Sequence, residues 1–173
     1  MNEIIETIVK RRSTKKFLPK PVEDEKLKAI LKAGTFAANG MGRQSPKIVV
    51  LRKQEDIREL EKQNAAILGN PEAKPFYGAP VVCVVLARAD AFTAVEDASL
   101  VIGNMLIAAE ALGIGACWIH RAREEFSSDA GKRLLQKWGV EGEYIGVGHC
   151  VLGYADGPRK EALPRKEDYI VYV

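Results

Sequence analysis

Pro80-Val81-Val82-Cys83-Val84-Val85-Leu86-Ala87 decides the fold. An apolar run with no polar interruption suits a strand covered on both faces, because a strand with one wet face would alternate. The next regular stretch, residues 92–112, reads as the longest helix of the chain and is apolar almost all round between Asp97 and Glu110. A helix of that kind is buried, in the core or in a subunit interface. Its longest charge-free run, residues 98–109, is too short to span a bilayer and carries Ser99 and Asn104.

Upstream, residues 47–51 read as a strand rich in Ile and Val. Two helices precede it. Ile4, Ile5, Ile8 and Val9 recur at helical spacing and end near Arg11-Arg12, and Leu27, Ile30 and Leu31 share a face from Glu23 onward. Gly34 should weaken the second helix near its end, and Leu18-Pro19-Lys20-Pro21 is an extended connector. Residues 55–68 form a charged amphipathic helix, and residues 69–78 a loop punctuated by Pro71 and Pro75. Downstream lie a short strand at 115–119, a helix capped within Ser127-Ser128-Asp129 and reaching Trp138, a strand at 144–152, and an alternating tail from Tyr169 to Val173. About four strands and five helices result, with two helices ahead of the first strand. That order predicts an α+β sandwich and not a doubly wound sheet.

A chain of 173 residues, 47% hydrophobic, suits one domain, residues 1–173, that folds without disulfide or metal. A net charge of +3 is too small for a nucleic-acid face. Cys83, Cys117 and Cys150 sit singly in apolar runs, as buried thiols do in a reducing compartment. With only His120 and His149 as partners, metal ligation is not expected. The start, Met1-Asn2-Glu3-Ile4-Ile5, lacks the pattern of a signal peptide, so the expectation is a cytoplasmic protein with no membrane partner.

Several catalytic signatures fail. Gly113-Ile114-Gly115 follows a helix instead of opening one, and Gly146-Val147-Gly148 also lacks the third glycine of a dinucleotide fingerprint. There is no P-loop, no nucleophile elbow and no histidine with partners for nucleophilic catalysis. His149, between Gly148 and Cys150, reads as a core histidine, whereas His120 is a candidate for a substrate face and Trp118 for packing. Two basic clusters remain: Arg11-Arg12-Ser13-Thr14-Lys15-Lys16 and Arg165-Lys166. Guanidinium forks, ammonium groups and a hydroxyl suit phosphate oxygens, and cations after a helix also serve as caps. A second constellation, Ala37-Ala38-Asn39-Gly40-Met41-Gly42-Arg43-Gln44-Ser45-Pro46, joins small residues to two amides just before a strand. Small side chains let backbone approach a flat ligand, and Asn39 and Gln44 offer donors and acceptors to a heteroaromatic edge.

Those two stretches, with Phe76-Tyr77-Gly78-Ala79-Pro80, Asn104 in an Ala-rich helix, the run from Leu112 to Ile119, and Leu152-Gly153-Tyr154, resemble in order the nitroreductase family of FMN-dependent oxidoreductases. The resemblance implies a mostly antiparallel central sheet flanked by helices and an intertwined homodimer, with the C-terminal arm exchanged or packed on the partner. It implies FMN at the subunit interface, NADH or NADPH as donor, and a nitroaromatic, quinone or similar small molecule as acceptor. A non-catalytic flavin carrier or redox sensor is the alternative. Carried over by position, Arg11, Arg12 and Ser13 would hold the phosphate or ribityl chain, and Lys15 would reach the pyrimidine edge. Arg165 and Lys166 would close on the phosphate. Ala38, Asn39, Gly40, Gly42 and Gln44 of the second subunit would pass beside the ring, and Ile119 and His120 would line it through backbone groups. Ala38-Asn39, Gly42 and Ser45-Pro46 depart from the family's Pro-Ser, Asn and Pro-Trp; the Glu-Gly pair of larger members has no clear counterpart, and Asn64 and Asn70 are both candidate flavin neighbours.

Overall fold

The computed structural model describes residues 1–173. Its elements are α1 (Glu3–Lys10), α2 (Asp24–Thr35), β1 (Pro46–Leu51), α3 (Gln54–Ile67), β2 (Val81–Arg88), α4 (Ala94–Ala111), β3 (Gly115–Ile119), α5 (Ala122–Ser127), α6 (Asp129–Lys137) and β4 (Tyr144–Gly153). Single 3-10 turns occupy Gly40–Gly42 and Glu167–Tyr169. The four strands form one sheet in the order β1-β2-β4-β3, antiparallel at every pair.

Strand β2 lies inside this sheet and is covered on both faces, as its unbroken apolar run predicts. Val81, Cys83, Val85 and Ala87 pack with α2 and α4 residues such as Ile30, Ile102 and Met105. Val82, Val84 and Leu86 pack on the other side with Ile57 and Leu60 of α3, Phe126 of α5 and Leu134 of α6. The sheet is therefore the middle layer of three. Each fully buried Val, Leu or Ile stabilises this arrangement by about 1.5–3 kcal/mol relative to exposure. The ladder slips once: Val85 faces Gly148 and Leu86 faces Gly146, which leaves Val147 as a bulge residue.

Gly34 has a different role from the one its helix propensity suggests. A Cβ there would lie 2.8 Å from Met105 Cγ, so the glycine lets α2 cross close over α4. Ser128 caps α6 as expected, accepting from the Gly131 N–H at 3.0 Å. One expectation is corrected. There are six α-helices and not five, because α5 is only six residues long and offers no periodic face to read. The alternating tail from Tyr169 to Val173 forms no strand with this chain and stays exposed. No helix is long and apolar enough to cross a membrane.

Candidate active site

Residues 12–16 run extended beside β3. Ser13 bridges Ala116 in parallel, and the Thr14 N–H donates to Ala116 O at 2.9 Å. Extended backbone sends successive side chains to opposite sides, and the hexapeptide sorts accordingly. Arg11, Ser13 and Lys15 fall on the Cys117 side: burial holds this thiol above its ordinary value, and Ser13 with the charges of Lys15 and Arg11 offsets part of the rise. The even positions are tied to the chain itself. Arg12 Nη1 donates to Val9 O and to Arg11 O, both at 2.7 Å, which makes it a cap on the last turn of α1. Thr14 packs on Gly115, and Lys16 pairs with Asp156 at 2.8 Å.

A cleft of about 490 Å³ opens along this segment, lined by residues 12–16, by Glu110 and residues 113–115 at the α4–β3 turn, and by residues 155–160. Within one chain, the residues just after β4 are the ones that meet the N-terminal cluster. The C-terminal cations that reach the N-terminal cluster are Arg159 and Lys160. Arg159 Nη1 donates to Lys10 O at 3.0 Å and pairs with Glu110. Arg165 and Lys166 are exposed, and Arg165 folds onto Leu163 O. No hydrogen bond or ion pair joins either residue to residues 11–16 of the same chain. The reason is chain path. Phe17 bridges Ala155 and the Asp156 N–H donates to Lys16 O, so only the residues just after β4 are drawn to the cluster.

The glycine-containing loop lies elsewhere. It borders a second cavity of about 340 Å³ whose lining includes Ala37, Asn39, Gln44, Ile48 and Val101, and none of residues 11–16. Asn39 is committed within the loop: its Oδ1 accepts from the Gln44 N–H at 2.8 Å and its Nδ2 donates to Ala37 O. The Gly40 N–H donates to Asp97 Oδ1 at 2.9 Å, which ties the loop to α4. Gly42 takes φ +67, where an L side chain is strained, which accounts for glycine there. Ala38, Gly42 and Gln44 are exposed.

At the end of β3, Ile119 is buried and His120 exposed. Both carbonyls are engaged. His149 Nδ1 lies 3.3 Å from Ile119 O, and the Asn64 amide donates to His120 O at 2.9 Å. Asn64 Oδ1 also accepts from Arg121 Nε at 2.9 Å, and Arg121 holds φ +78. The N–H groups of His120 and Arg121 donate to no group in the chain. Consecutive unpaired N–H groups around a left-handed residue form an anion-attracting concavity. Asn64, fully buried, thus belongs to this turn, while Asn70 sits on the exposed loop and accepts from the Glu72 N–H. The signal for Asn64 was present in the sequence: it shares the apolar face of α3 with Ile57 and Leu60, where an amide needs partners. Arg159 and Lys160 carried no such signal.

A basic, ligand-sized cleft at the edge of a three-layer antiparallel α+β sheet defines the class of protein. The particular lineage follows from comparison. A family model described as the nitroreductase family matches residues 8–154. The chain belongs to that family. It is 32% identical over 190 residues to an NADPH-flavin oxidoreductase of Vibrio harveyi, covering 99% of this chain and 73% of that protein. A nitroreductase with bound FMN from Bacteroides fragilis NCTC 9343 superposes with a TM-score of 0.93 at 26% identity, covering 100% of both chains. Another with bound FMN, from Desulfitobacterium hafniense DCB-2, gives 0.89 at 27% identity, covering 100% of this chain and 99% of that one.

Proposed function

We propose that the chain is an FMN-dependent NAD(P)H oxidoreductase that works as a homodimer on small-molecule acceptors such as nitroaromatics or quinones. The observation that carries this reading is the gathering of Arg11, Ser13 and Lys15 on one side of an extended segment, beside a strand end whose His120 and Arg121 N–H groups are unpaired. Fixed cations and spare donors suit a group with an anionic phosphate at one end and a polar heteroaromatic edge at the other. Arg11 and Ser13 hold the phosphate and ribityl end. Lys15 and the 120–121 amides lie toward the ring, where they stabilise negative charge. FMN held by Arg11, Ser13, Lys15 and the 120–121 amides would supply the hydride chemistry between a nicotinamide donor and the acceptor. No side chain here needs to act as an acid or base, and donor and acceptor visit the same face in turn, a ping-pong order.

Ala38, Asn39, Gly40, Gly42 and Gln44 come from the second subunit in this reading, which agrees with their distance from residues 11–16 in fold and cavity. The dimer is supported by exposed apolar groups on successive surfaces: Ile4, Ile5, Ile8 and Val9 of α1, and Val95 and Leu100 of α4. The C-terminal arm packs on the partner, where Arg165 and Lys166 close on that copy's phosphate. Purified protein titrated with FMN and then assayed for NADH and NADPH oxidation tests the proposal. Saturable flavin binding with acceptor-dependent turnover is expected. Binding without turnover makes the protein a carrier or sensor, and no binding overturns the reading.

A further inference from the structure

His149 of β4 and Glu125 of α5 are both fully excluded from solvent, and Nε2 lies 2.8 Å from Oε2. They lie outside the cleft, and only the His149 contact with Ile119 O ties them to the site. We propose that they are a positioning pair for the Ile119–His120 peptide, one that shares a proton sealed behind the end of β3. The inference rests on the reading that this peptide lines the cofactor.

The proton inventory follows from the partners. Nδ1 faces the Ile119 carbonyl, which only accepts, so Nδ1 carries a hydrogen. Nε2 faces a carboxyl oxygen at 2.8 Å, and two lone pairs would repel at that distance. The pair therefore carries one further proton, on Nε2 or on Oε2. The pair holds two protons and is neutral as a unit, the one state a site without water tolerates cheaply. Its alignment is imperfect, since Nε2 and both Glu125 oxygens lack a well-directed hydrogen bond. The directed contact is thus on the Nδ1 side, toward Ile119 O at 3.3 Å. Phe76, with its ring centre 5.2 Å from the imidazole, and Phe126 at 6.4 Å wall the ring in place. Glu125 is held from behind by the Ser128 hydroxyl, which donates to Glu125 O at 2.6 Å. Histidine thereby fixes one carbonyl of the turn while Asn64 fixes the next. Two adjacent peptides are locked, and their outward N–H groups are aimed.

Three variants separate positioning from stability. H149F strands a buried carboxyl and is expected to unfold readily. H149F with E125L replaces the pair by apolar groups, and its urea midpoint should match or exceed that of the parent. Its FMN dissociation constant should rise about fivefold, the equivalent of one lost hydrogen bond of about 1 kcal/mol. E125Q keeps a donor toward Nε2 and should restore parental affinity. Nitrogen-15 spectra of the imidazole, recorded without flavin, should show a protonated Nδ1. A stable double variant with unchanged FMN affinity, or an unprotonated Nδ1, overturns the proposal. Failure of the parent protein to bind FMN would instead overturn the reading of the site.

Discussion

Asp97→Ala is the perturbation that most directly joins fold to site. The carboxylate is almost fully buried on α4, accepting from the Gly40 N–H at 2.9 Å and from Ser45 Oγ at 3.2 Å. These two bonds hold both ends of the loop that carries Gly42 and Gln44. Hydrogen bonds to a charged group contribute about 1.5–3 kcal/mol each. Ser45 is buried and cannot recover its partner from water, whereas the half-buried Gly40 N–H recovers part of its loss. The expected cost of Asp97→Ala is therefore about 3 kcal/mol, the low end of the combined range for two such bonds. Asp97→Asn keeps an acceptor for Gly40, and its amide can donate to the Ser45 hydroxyl, so it should cost about 1 kcal/mol. Urea unfolding at fixed protein concentration reads both, because dimer stability depends on concentration. A lower midpoint with an unchanged slope is expected, in the order Ala below Asn below parent. Equal midpoints for Ala and parent, or equal losses for Ala and Asn, would refute the role given to this carboxylate.

Arg11→Ala should weaken FMN binding by about 1.5–3 kcal/mol, tenfold or more, in a flavin-fluorescence titration, while Arg12→Ala should act mainly on stability through the lost α1 cap. Burial pushes the Cys83 thiol up to about 12 and the Cys150 thiol well above its ordinary value, so neither should react with a thiol reagent at pH 8 until the protein is unfolded. Asp56 of α3 is held below its ordinary value of 3.8, chiefly by its hydrogen bond to Lys137 of α6. A lowered carboxyl stabilises the fold above its unfolded value and loses that contribution as pH falls through the folded one, so the melting temperature should drop below about pH 4, and less so in Asp56→Asn. Truncating α1's apolar face, with Ile4 and Ile8 both changed to Ser, should shift the protein toward monomer in sedimentation.

The layers of the fold were legible because β2 and α4 state their burial in composition alone: one is apolar at every position, the other around most of its circumference. Strand order was not, since nothing in residues 115–119 says that β3 takes the outer edge beside β4. Within the site, Arg11, Ser13 and Lys15 were legible as residue types, and the period of two in extended chain would have separated them from Arg12, Thr14 and Lys16 had residues 12–16 been read as extended. The basic tail does not declare which of its pairs meets the cluster within one chain, and the reason is physical. Arg159-Lys160 and Arg165-Lys166 are equally basic, and only the bridge of Phe17 to Ala155 decides which pair lies beside the cluster in one chain. Glu125 was hidden because its helix is too short for a periodic pattern and an isolated glutamate reads as surface.

The parity of residues 11–16 also sets how this protein can be engineered. Odd-numbered substitutions should retune what the proposed flavin site accepts, and even-numbered ones should retune how firmly the edge is sewn to its neighbours. A one-residue deletion between Arg11 and Lys15 would do neither cleanly. It would exchange the two inventories, turning fastening residues toward the ligand and ligand-holding residues toward the scaffold.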